Sequence, residues 1–279
     1  MYKSLSLFAL AIGLSFAPLL TEAQTVANLT TNPVVLKPED GRNLAAAPDF
    51  NLLKKAILKF YQTSYTSTTS DLSIEFDAPE MKGEVSTTIS TISGTGGRFN
   101  SQITFGRPQS TQIVYSIISN GKKVWIYRPD QRIYKETTLD KFENEKYLIG
   151  ISSVIFSMIS EKDRIRLTKN YDDNQNQLIS AIANNPVFQG AETQVDGKLL
   201  YIFSFITEKD TKCSVFIERV SGNLSRIQIS GKRKNVNINI QEKIKSWSPS
   251  YPNIQTDFSF IPPKGVRRVN SLPIMPSSF

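Results

Sequence analysis

No histidine occurs anywhere in the 279-residue sequence. Its absence excludes Ser-His-Asp and Cys-His catalysis, and it excludes every metal site that needs an imidazole ligand. A mechanism that uses carboxylates alone stays open, although no pair of acidic residues stands in a recognisable catalytic context. We therefore predict that the protein is not an enzyme and that it binds no metal or other cofactor.

Cysteine and long apolar runs are also scarce. Cys213 is the only cysteine, so no internal disulfide framework can form. Beyond the N-terminal segment, no apolar stretch reaches the roughly 20 residues that a membrane-spanning helix needs. A chain of this length can still bury a sizeable core without covalent staples.

Basic residues are in excess, with 33 Lys and Arg against 25 Asp and Glu and a formal charge of +8. Such an excess favours acidic partners such as anionic lipid headgroups or nucleic acid. For an exported protein, lipids or acidic envelope polymers are the better candidates, and we expect no nucleic acid. A general solubilising charge excess explains the composition equally well.

The N-terminal segment has the pattern of a secretory signal peptide. Lys3 precedes an apolar run over residues 5–20, and a short segment ending in Ala23 precedes the cleavage point. We predict a signal peptide over residues 1–23, with an uncleaved N-terminal anchor as the alternative. No cysteine follows the cleavage point, so we expect a mature protein that is soluble and not lipidated.

Two periodicities organise the rest of the chain. Residues 24–48 have no sustained period and are predicted to be a flexible leader. Apolar residues at helical spacing predict helices over residues 49–65 and 141–161, with Asp49 as the first N-cap, and a short helix over residues 175–183. Alternating apolar and polar residues predict about eleven strands. The predicted strands cover residues 72–76, 85–91, 99–105, 113–118, 123–128, 133–137, 199–207, 213–220, 224–230, 236–245 and 258–261.

Nearly all connections between the predicted strands are short, which favours antiparallel meanders over βαβ units. The predicted fold is mainly β with some α structure. It is a single curved antiparallel sheet of about eleven strands whose concave face is covered by helices. We expect residues 49–279 to form this one domain.

Three motifs follow one another in this domain. The first is a glycine-rich turn and a strand that ends in Arg107-Pro108. The second is the hairpin S-N-G-K-K-V-W-I-Y-R-P over residues 119–129, and the third is F-S-F-I-P-P-K-G-V over residues 258–266. In this order, behind a signal peptide and an N-terminal helix, they resemble the LolA-type periplasmic outer-membrane lipoprotein carriers and their LolA/LolB-fold relatives. The leader and the segment over residues 139–191 are longer here.

The resemblance implies an unclosed barrel whose helices form a lid over an apolar cavity for lipid acyl chains. It implies a monomeric periplasmic carrier that shuttles lipoprotein acyl chains, or a related lipid, between membrane-bound donor and acceptor proteins. The arginine that matches Arg107 hydrogen-bonds the lid in these carriers and holds the empty protein closed. The candidate cavity or lid residues are Phe99, Ile103, Phe105, Arg107, Ile151, Val154, Ile155, Met158 and Ile159.

Two alternatives remain for these residues and for the fold. The apolar face of Ile151 to Ile159, from which Ser152, Ser153 and Ser157 point away, also fits an ordinary helix on an ordinary sheet. The half-barrel also fits a signalling or scaffold module of the envelope that senses lipid or protein partners without carrying them.

Overall fold

The computed structural model of the protein describes residues 44–46, 49–78, 81–106, 112–169, 189–206, 211–233, 236–253 and 257–274. The predicted signal peptide, most of the predicted leader, Arg107 and the predicted helix over residues 175–183 lie outside the described residues.

The strands of the described residues form one sheet of thirteen. The strands are β1 Leu44–Ala46, β2 Tyr65–Ala78, β3 Met81–Gly94, β4 Arg98–Phe105, β5 Ile113–Asn120, β6 Lys123–Arg128, β7 Ile133–Thr138, β8 Gln189–Val195, β9 Lys198–Ile206, β10 Lys212–Glu218, β11 Leu224–Arg233, β12 Val236–Pro249 and β13 Arg267–Arg268. Their spatial order is β1-β8-β9-β10-β11-β12-β2-β3-β4-β5-β6-β7-β13. Every neighbouring pair is antiparallel except β7 and β13, which are parallel.

The first and last strands in this order, β1 and β13, do not pair with each other, so the sheet stays open. The strands alternate as the sequence predicts. In β4, for example, Phe99, Ser101, Ile103 and Phe105 are buried, and the residues between them are less so. This two-residue period places one apolar face of the sheet inward. The prediction of an unclosed antiparallel half-barrel is therefore confirmed.

Four helical segments accompany the sheet in the described part of the chain. They are α1 Phe50–Tyr61, a 3₁₀ helix Glu143–Ile149, α2 Ile151–Met158 and α3 Glu161–Lys169. The Asp49 carboxylate caps α1 by accepting a hydrogen bond of 3.0 Å from the Leu52 amide, as the sequence predicts. The first helix is shorter than predicted because the chain enters β2 at Tyr65.

Most of the predicted strands are present, but the set needs correction at four places. Residues 258–261 form no strand. Phe258 and Phe260 pack instead on tyrosine rings, and the prolines that follow have no amide to donate to a ladder. The strands β1 and β13 were not predicted because they have only three and two residues, and β8 was not predicted because its sequence has little apolar alternation. As β1, residues 44–46 of the predicted leader pair with β8.

The single helix predicted over residues 141–161 is wrong in two ways. It breaks at Gly150, whose φ of 91° lies outside the helical region, and it ends at Ile159, which is extended. In addition, Ser152, Ser153 and Ser157 are buried. Because the sheet beneath α2 is itself lined by hydroxyl groups, these serines face the protein interior.

The main core lies between the concave face and the helices, and it contains side chains from α1, α2 and every strand from β2 to β6 and from β9 to β12. A smaller cluster of Leu200, Ile202 and Phe216 lies on the opposite face of the sheet. Among the described residues, no helix has the length and apolar character that crossing a membrane requires.

Candidate functional site

The residues of α2 from Ile151 to Ser157 are buried on every side of the helix. Ser157 is 4% exposed, and the others are at most 2% exposed. A helix of eight residues contributes little stability of its own, so its position depends on its tertiary contacts. These contacts decide whether α2 is a permanent part of the core or a lid.

The start of α2 is held by a buried acidic residue on β12. The Glu242 carboxylate is 0% exposed. It accepts hydrogen bonds of 2.6 Å from the Ser152 amide and 2.8 Å from the Ser152 hydroxyl. Free amide groups at a helix N-terminus need hydrogen-bond acceptors from outside the helix. Glu242 supplies them and therefore anchors α2 to the sheet.

Burial raises the pKa of the Glu242 carboxyl above its ordinary value. Hydrogen bonds from Ser152, from the Ser70 hydroxyl and from the Ile151 amide act in the opposite direction but are the smaller influence. No basic side chain of the described residues forms an ion pair with this carboxyl. The anchor thus depends on neutral hydrogen-bond donors, which water can replace when the helix moves away.

Gly150 makes the anchor sterically feasible. A Cβ atom at this position would lie 2.7 Å from Glu242 Oε1, closer than unstrained contacts allow. Its φ of 91° and ψ of 136° also fall in a region that other residues rarely adopt. A glycine is therefore required where the chain passes the carboxylate.

The end of α2 is tied to the β3–β4 turn by its backbone. The Gly97 amide donates to the Ser157 carbonyl at 2.8 Å, and the Gly96 amide donates to the Ile159 carbonyl at 3.1 Å. The start of α3 is tied to the same turn, since the Glu161 carboxylate accepts a hydrogen bond of 2.9 Å from the Thr95 hydroxyl. Both helices are thus attached to the sheet by polar contacts at their ends.

Glu161 differs from Glu242 in its surroundings. Its carboxylate also pairs with the Arg164 guanidinium at 2.5 Å. The hydrogen bond from Arg164 lowers the pKa of Glu161 to about 2. Glu161 is therefore an ionised anchor, whereas burial pushes Glu242 towards its neutral form.

The part of the concave face beneath α2 is lined by small hydroxyl side chains, and we call this part the hydroxyl floor. Its members are Thr66, Thr68, Ser70, Thr91, Ser93 and Ser101, all at most 3% exposed. They form one patch because Thr68 pairs with Thr91, and Thr91 pairs with Ser101, across β2, β3 and β4. The Thr91 hydroxyl contacts Ser101 Oγ at 2.7 Å and donates to the Ile149 carbonyl at 3.0 Å.

Some polar groups between the helices and the sheet have no partner in the closed arrangement. Within the described part of the chain, the buried atoms without a hydrogen bond are Tyr61 OH, Ser93 Oγ, Ser153 Oγ and Trp247 Nε1. An unsatisfied buried polar group costs about 1–3 kcal/mol. Hydration of such groups would offset part of the cost of lifting a helix.

The part of the concave face beneath α1 is apolar, and we call it the apolar flank. It encloses a cavity of about 30 Å³. The lining consists of Leu53, Ala56, Ile57 and Phe60 from α1, Ile155 from α2, Val215 and Ile217 from β10, and Leu224 and Ile227 from β11. The lining contains no charged side chain.

This cavity is too small for a lipid. A site for one drug-sized ligand takes about 300–1,000 Å³, whereas about 10–15 Å³ suffices for a water molecule. The concave face is therefore filled at this position, between α1 and strands β10 and β11. An acyl chain could enter here only if a helix moved outward.

Eight of the nine predicted site residues lie among the described residues, and all eight belong to the main core or pack against it. Phe99, Ile103 and Phe105 face the concave side of β4, where Phe99 packs on Phe142 at 5.9 Å. Of the eight, Ile155 alone lines the cavity on the apolar flank. Ile155 therefore lies against α1. The strands that line this cavity, β10 and β11, are separated from β4 in the sheet by β12, β2 and β3.

Sequence reasoning did not single out Glu242 or, apart from Ile155, the residues that line the apolar flank. The signal for Glu242 was available, because Ile238, Ile240 and Glu242 share one face of β12 in a two-residue period. An acidic residue in register with core positions is unusual. Val215 and Ile217 on β10 also lie two residues apart, so they share one face of their strand.

The described residues contain no group of three or more side chains placed to hold a metal ion. Cys213 is fully buried on the concave side, and burial raises the pKa of its thiol. The thiol is therefore protonated and inaccessible. The chemistry on the concave face consists of apolar contact and neutral hydrogen bonding.

No protein-family model matches this sequence, and no curated protein matches it. The fold is similar to an uncharacterized conserved protein from Thermus thermophilus, with a TM-score of 0.39, 10% identity and coverage of 79% of this chain and 98% of the other. It is also similar to a LolA superfamily protein from Nitrosomonas europaea, with a TM-score of 0.32, 9% identity and coverage of 77% and 99%. A third similar structure is LprF from Mycobacterium bovis, with a TM-score of 0.38, 14% identity and coverage of 75% and 99%. With such values, the half-barrel assignment rests on the strand order and register of this chain.

Proposed function

We propose that the protein is a periplasmic carrier that binds the acyl chains of lipoproteins, or of a related lipid, beneath a removable helix α2. Export by the predicted signal peptide over residues 1–23, without a lipidated cysteine, would leave the carrier free to diffuse between membranes. Proposed acyl contacts from the sheet are Phe99, Ile103 and Phe105, and those from the lid are Ile151, Val154, Ile155, Met158 and Ile159. Arg107 is proposed to help hold the empty protein closed.

The observation that carries this proposal is the way in which α2 is attached to the sheet. The helix is fully buried, yet it rests on the hydroxyl floor and is fixed at its two ends by Glu242 and by the Gly96 and Gly97 amides. Hydrogen bonds of this kind contribute only about 0.5–1.5 kcal/mol each, because water replaces them. A helix held by apolar contacts alone would instead resist opening in proportion to the apolar area that it buries.

The energetics of loading follow from this arrangement. Each buried methylene contributes about 0.8 kcal/mol, so an acyl chain that simply filled an open cavity would be held too tightly for delivery. Here the chain must replace contacts that Ile155 and Phe156 make in the closed core. The lost helix contacts offset part of the gain, which makes uptake and release both accessible.

The test is uptake of a fluorescent fatty acid by the purified protein, with displacement by unlabelled lipid and native mass spectrometry of the complex. We expect stoichiometric uptake. The variant Ala56→Leu fills the cavity on the apolar flank and should weaken uptake about tenfold, since overpacking costs about 1–3 kcal/mol.

The matched control is Ala191→Leu, which adds the same volume beside Ile202 on the opposite face of the sheet. It should take up the probe like the unmodified protein. If well-folded protein takes up no probe and carries no lipid in the mass spectrum, the carrier function is wrong. Equal loss in both variants would mean that the loss does not come from filling the cavity beside Ile155.

A second candidate function is a scaffold or sensor module of the envelope. The small size of the cavity beneath α1 favours it, because a protein that recognises partners with its surface needs no large cavity. This function predicts a stable protein partner in a pull-down from envelope extracts and no transfer of lipid between vesicles.

A further inference from the structure

The chain after Phe260 forms a rigid loop at the β7–β13 edge of the sheet. The Phe260 ring packs against Tyr127 at 5.4 Å and against Tyr134 at 5.3 Å. The Arg132 guanidinium donates to the Lys264 carbonyl at 2.8 Å. The Arg267 amide donates to the Arg132 carbonyl at 2.9 Å. Residues 261–266 are therefore fixed on both sides.

This loop presents an apolar tip to solvent. Ile261 is 85% exposed, and Pro262 and Pro263 behind it are also exposed. Proline restricts its own φ and the conformation of the residue before it, so the isoleucine is held outward and cannot fold back on the protein. A single large aliphatic side chain on a rigid support is suited to shallow insertion at a membrane interface.

Basic side chains surround the tip. Arg132, Lys264, Arg267 and Arg268 are all exposed, and we call them, together with residues 261–263, the basic loop. Among the described residues, Arg132, Lys264 and Arg267 have no acidic partner within ion-pair distance. Glu136, the acidic residue near Arg268, lies 4.0 Å from it and is bound more closely by Lys123 at 3.0 Å.

We propose that the basic loop docks the protein on an anionic lipid bilayer, with the cations at the headgroup phosphates and Ile261 in the interface. A bilayer fits better than an acidic protein because the exposed basic groups lie beside an exposed apolar side chain, which an interface can take up together with the charges. Each basic residue near an anionic surface strengthens binding about fivefold, and the attraction is screened by salt. Docking needs no acyl-binding site, so it is independent of the carrier function.

The test is co-sedimentation of the mature chain from Gln24, without its signal peptide, with vesicles. The vesicles contain phosphatidylglycerol in phosphatidylcholine, or phosphatidylcholine alone. We expect binding to the anionic vesicles only, weakening as salt rises. The triple variant Lys264→Gln, Arg267→Gln and Arg268→Gln should bind about 100-fold more weakly. The matched control replaces the exposed residues Lys162, Lys232 and Lys245 by glutamine and has the same net charge.

The role of the apolar tip is tested by Ile261→Ser, which should bind the anionic vesicles about tenfold more weakly with an unchanged salt dependence. Its control is Val220→Ser, since Val220 is 88% exposed on the turn between β10 and β11. Docking is overturned if the unmodified protein does not bind anionic vesicles at low salt, if it binds neutral vesicles equally, or if both triple variants weaken alike. The fatty-acid assay separates the two proposals, because every docking variant should still take up the probe.

Discussion

Beneath α2 the concave face presents threonine and serine hydroxyls, whereas beneath α1 it presents isoleucine, valine and leucine side chains. Both helices bury apolar side chains, but α1 also exposes Asn51 and Lys55, whereas α2 is buried from Ile151 to Ser157. The forces that hold the two helices differ as well. Glu242 and the Gly96 and Gly97 amides hold the ends of α2 through hydrogen bonds that water can replace, and the apolar flank holds α1 through area that water cannot cover without cost. In the proposed carrier, α1 is the permanent helix and α2 is the one that leaves.

The largest expected effect concerns the apolar flank. Leu53 is 2% exposed on α1, and Leu53→Ala should lower the free energy of unfolding by about 2–5 kcal/mol, because it removes buried methyl groups and leaves a cavity. Chemical denaturation measures the loss.

The comparison variant is Thr91→Val on the hydroxyl floor, which keeps the shape and removes the hydroxyl that contacts Ser101 and the Ile149 carbonyl. It should cost only about 1–2 kcal/mol. Equal losses in the two variants would contradict the distinction between the floor and the flank.

A smaller effect is expected where the chain passes Glu242. Gly150→Ala forces a backbone strain of about 1–3 kcal/mol and brings a Cβ to within 2.7 Å of Glu242 Oε1. We expect α2 to detach in part, so that the amides of α2 exchange hydrogen faster while those of α1 keep their protection. Native-state hydrogen exchange measures both.

The control for this variant is Gly197→Ala. Gly197 also has a positive φ, of 75°, but a Cβ there meets no atom within 4 Å. It should lower global stability slightly without selective exchange in α2. If exchange rises equally in α1 and α2 of Gly150→Ala, the lid does not move separately from the core.

The smallest effect is a difference in pH dependence between the two acidic anchors. Burial raises the pKa of Glu242 in the folded protein, so its contribution to stability is complete below its unfolded pKa of about 4.5 and is lost as the pH rises through the folded pKa. The variant Glu242→Gln does not titrate and imitates the neutral acid. Relative to this variant, the unmodified protein should lose stability as the pH rises, by no more than about 1.4 kcal/mol per pH unit.

Glu161 should behave in the opposite way. The pKa of Glu161 is lowered to about 2 by its hydrogen bond from Arg164, so its contribution is present above about pH 4.5 and is lost as the pH falls towards 2. Denaturation of Glu161→Gln and Glu242→Gln between pH 3 and 9 should therefore give stability differences of opposite slope. Slopes of the same sign would mean that Glu242 is ionised in the closed protein.

Local patterns predicted much of this molecule. The cap at Asp49, the alternation in β4 and the hairpin at Asn120-Gly121 are all present because neighbouring residues specify them. Predictions failed where a distant contact decides the conformation. Gly150 interrupts a good helical pattern because Glu242 on β12 lies against it. Phe258 and Phe260 alternate like a strand, yet tyrosine rings hold them.

The candidate site shows the same limit. Apolar spacing identified Ile151 to Ile159 as one face of a helix, but spacing does not indicate which element that face meets. The serines between them lie off that apolar face, as the spacing indicates, yet they are buried as well, with Thr91, Ser93 and Ser101 beneath α2. A serine is placed in solvent or in the interior according to whether its hydroxyl meets other polar groups there.

The sequence by itself determined the class of the fold, since an alternation with a period of two, repeated through short turns, favours antiparallel strands with one apolar face. It also excluded histidine chemistry outright. Only the tertiary structure decided that these strands form one open sheet, that the concave face beneath α1 is filled, and that Glu242 anchors α2. The physical reason is that alternation reports which side of a strand faces inward, whereas the balance of apolar and polar contact depends on residues that are far apart in the chain and come together only in the folded sheet.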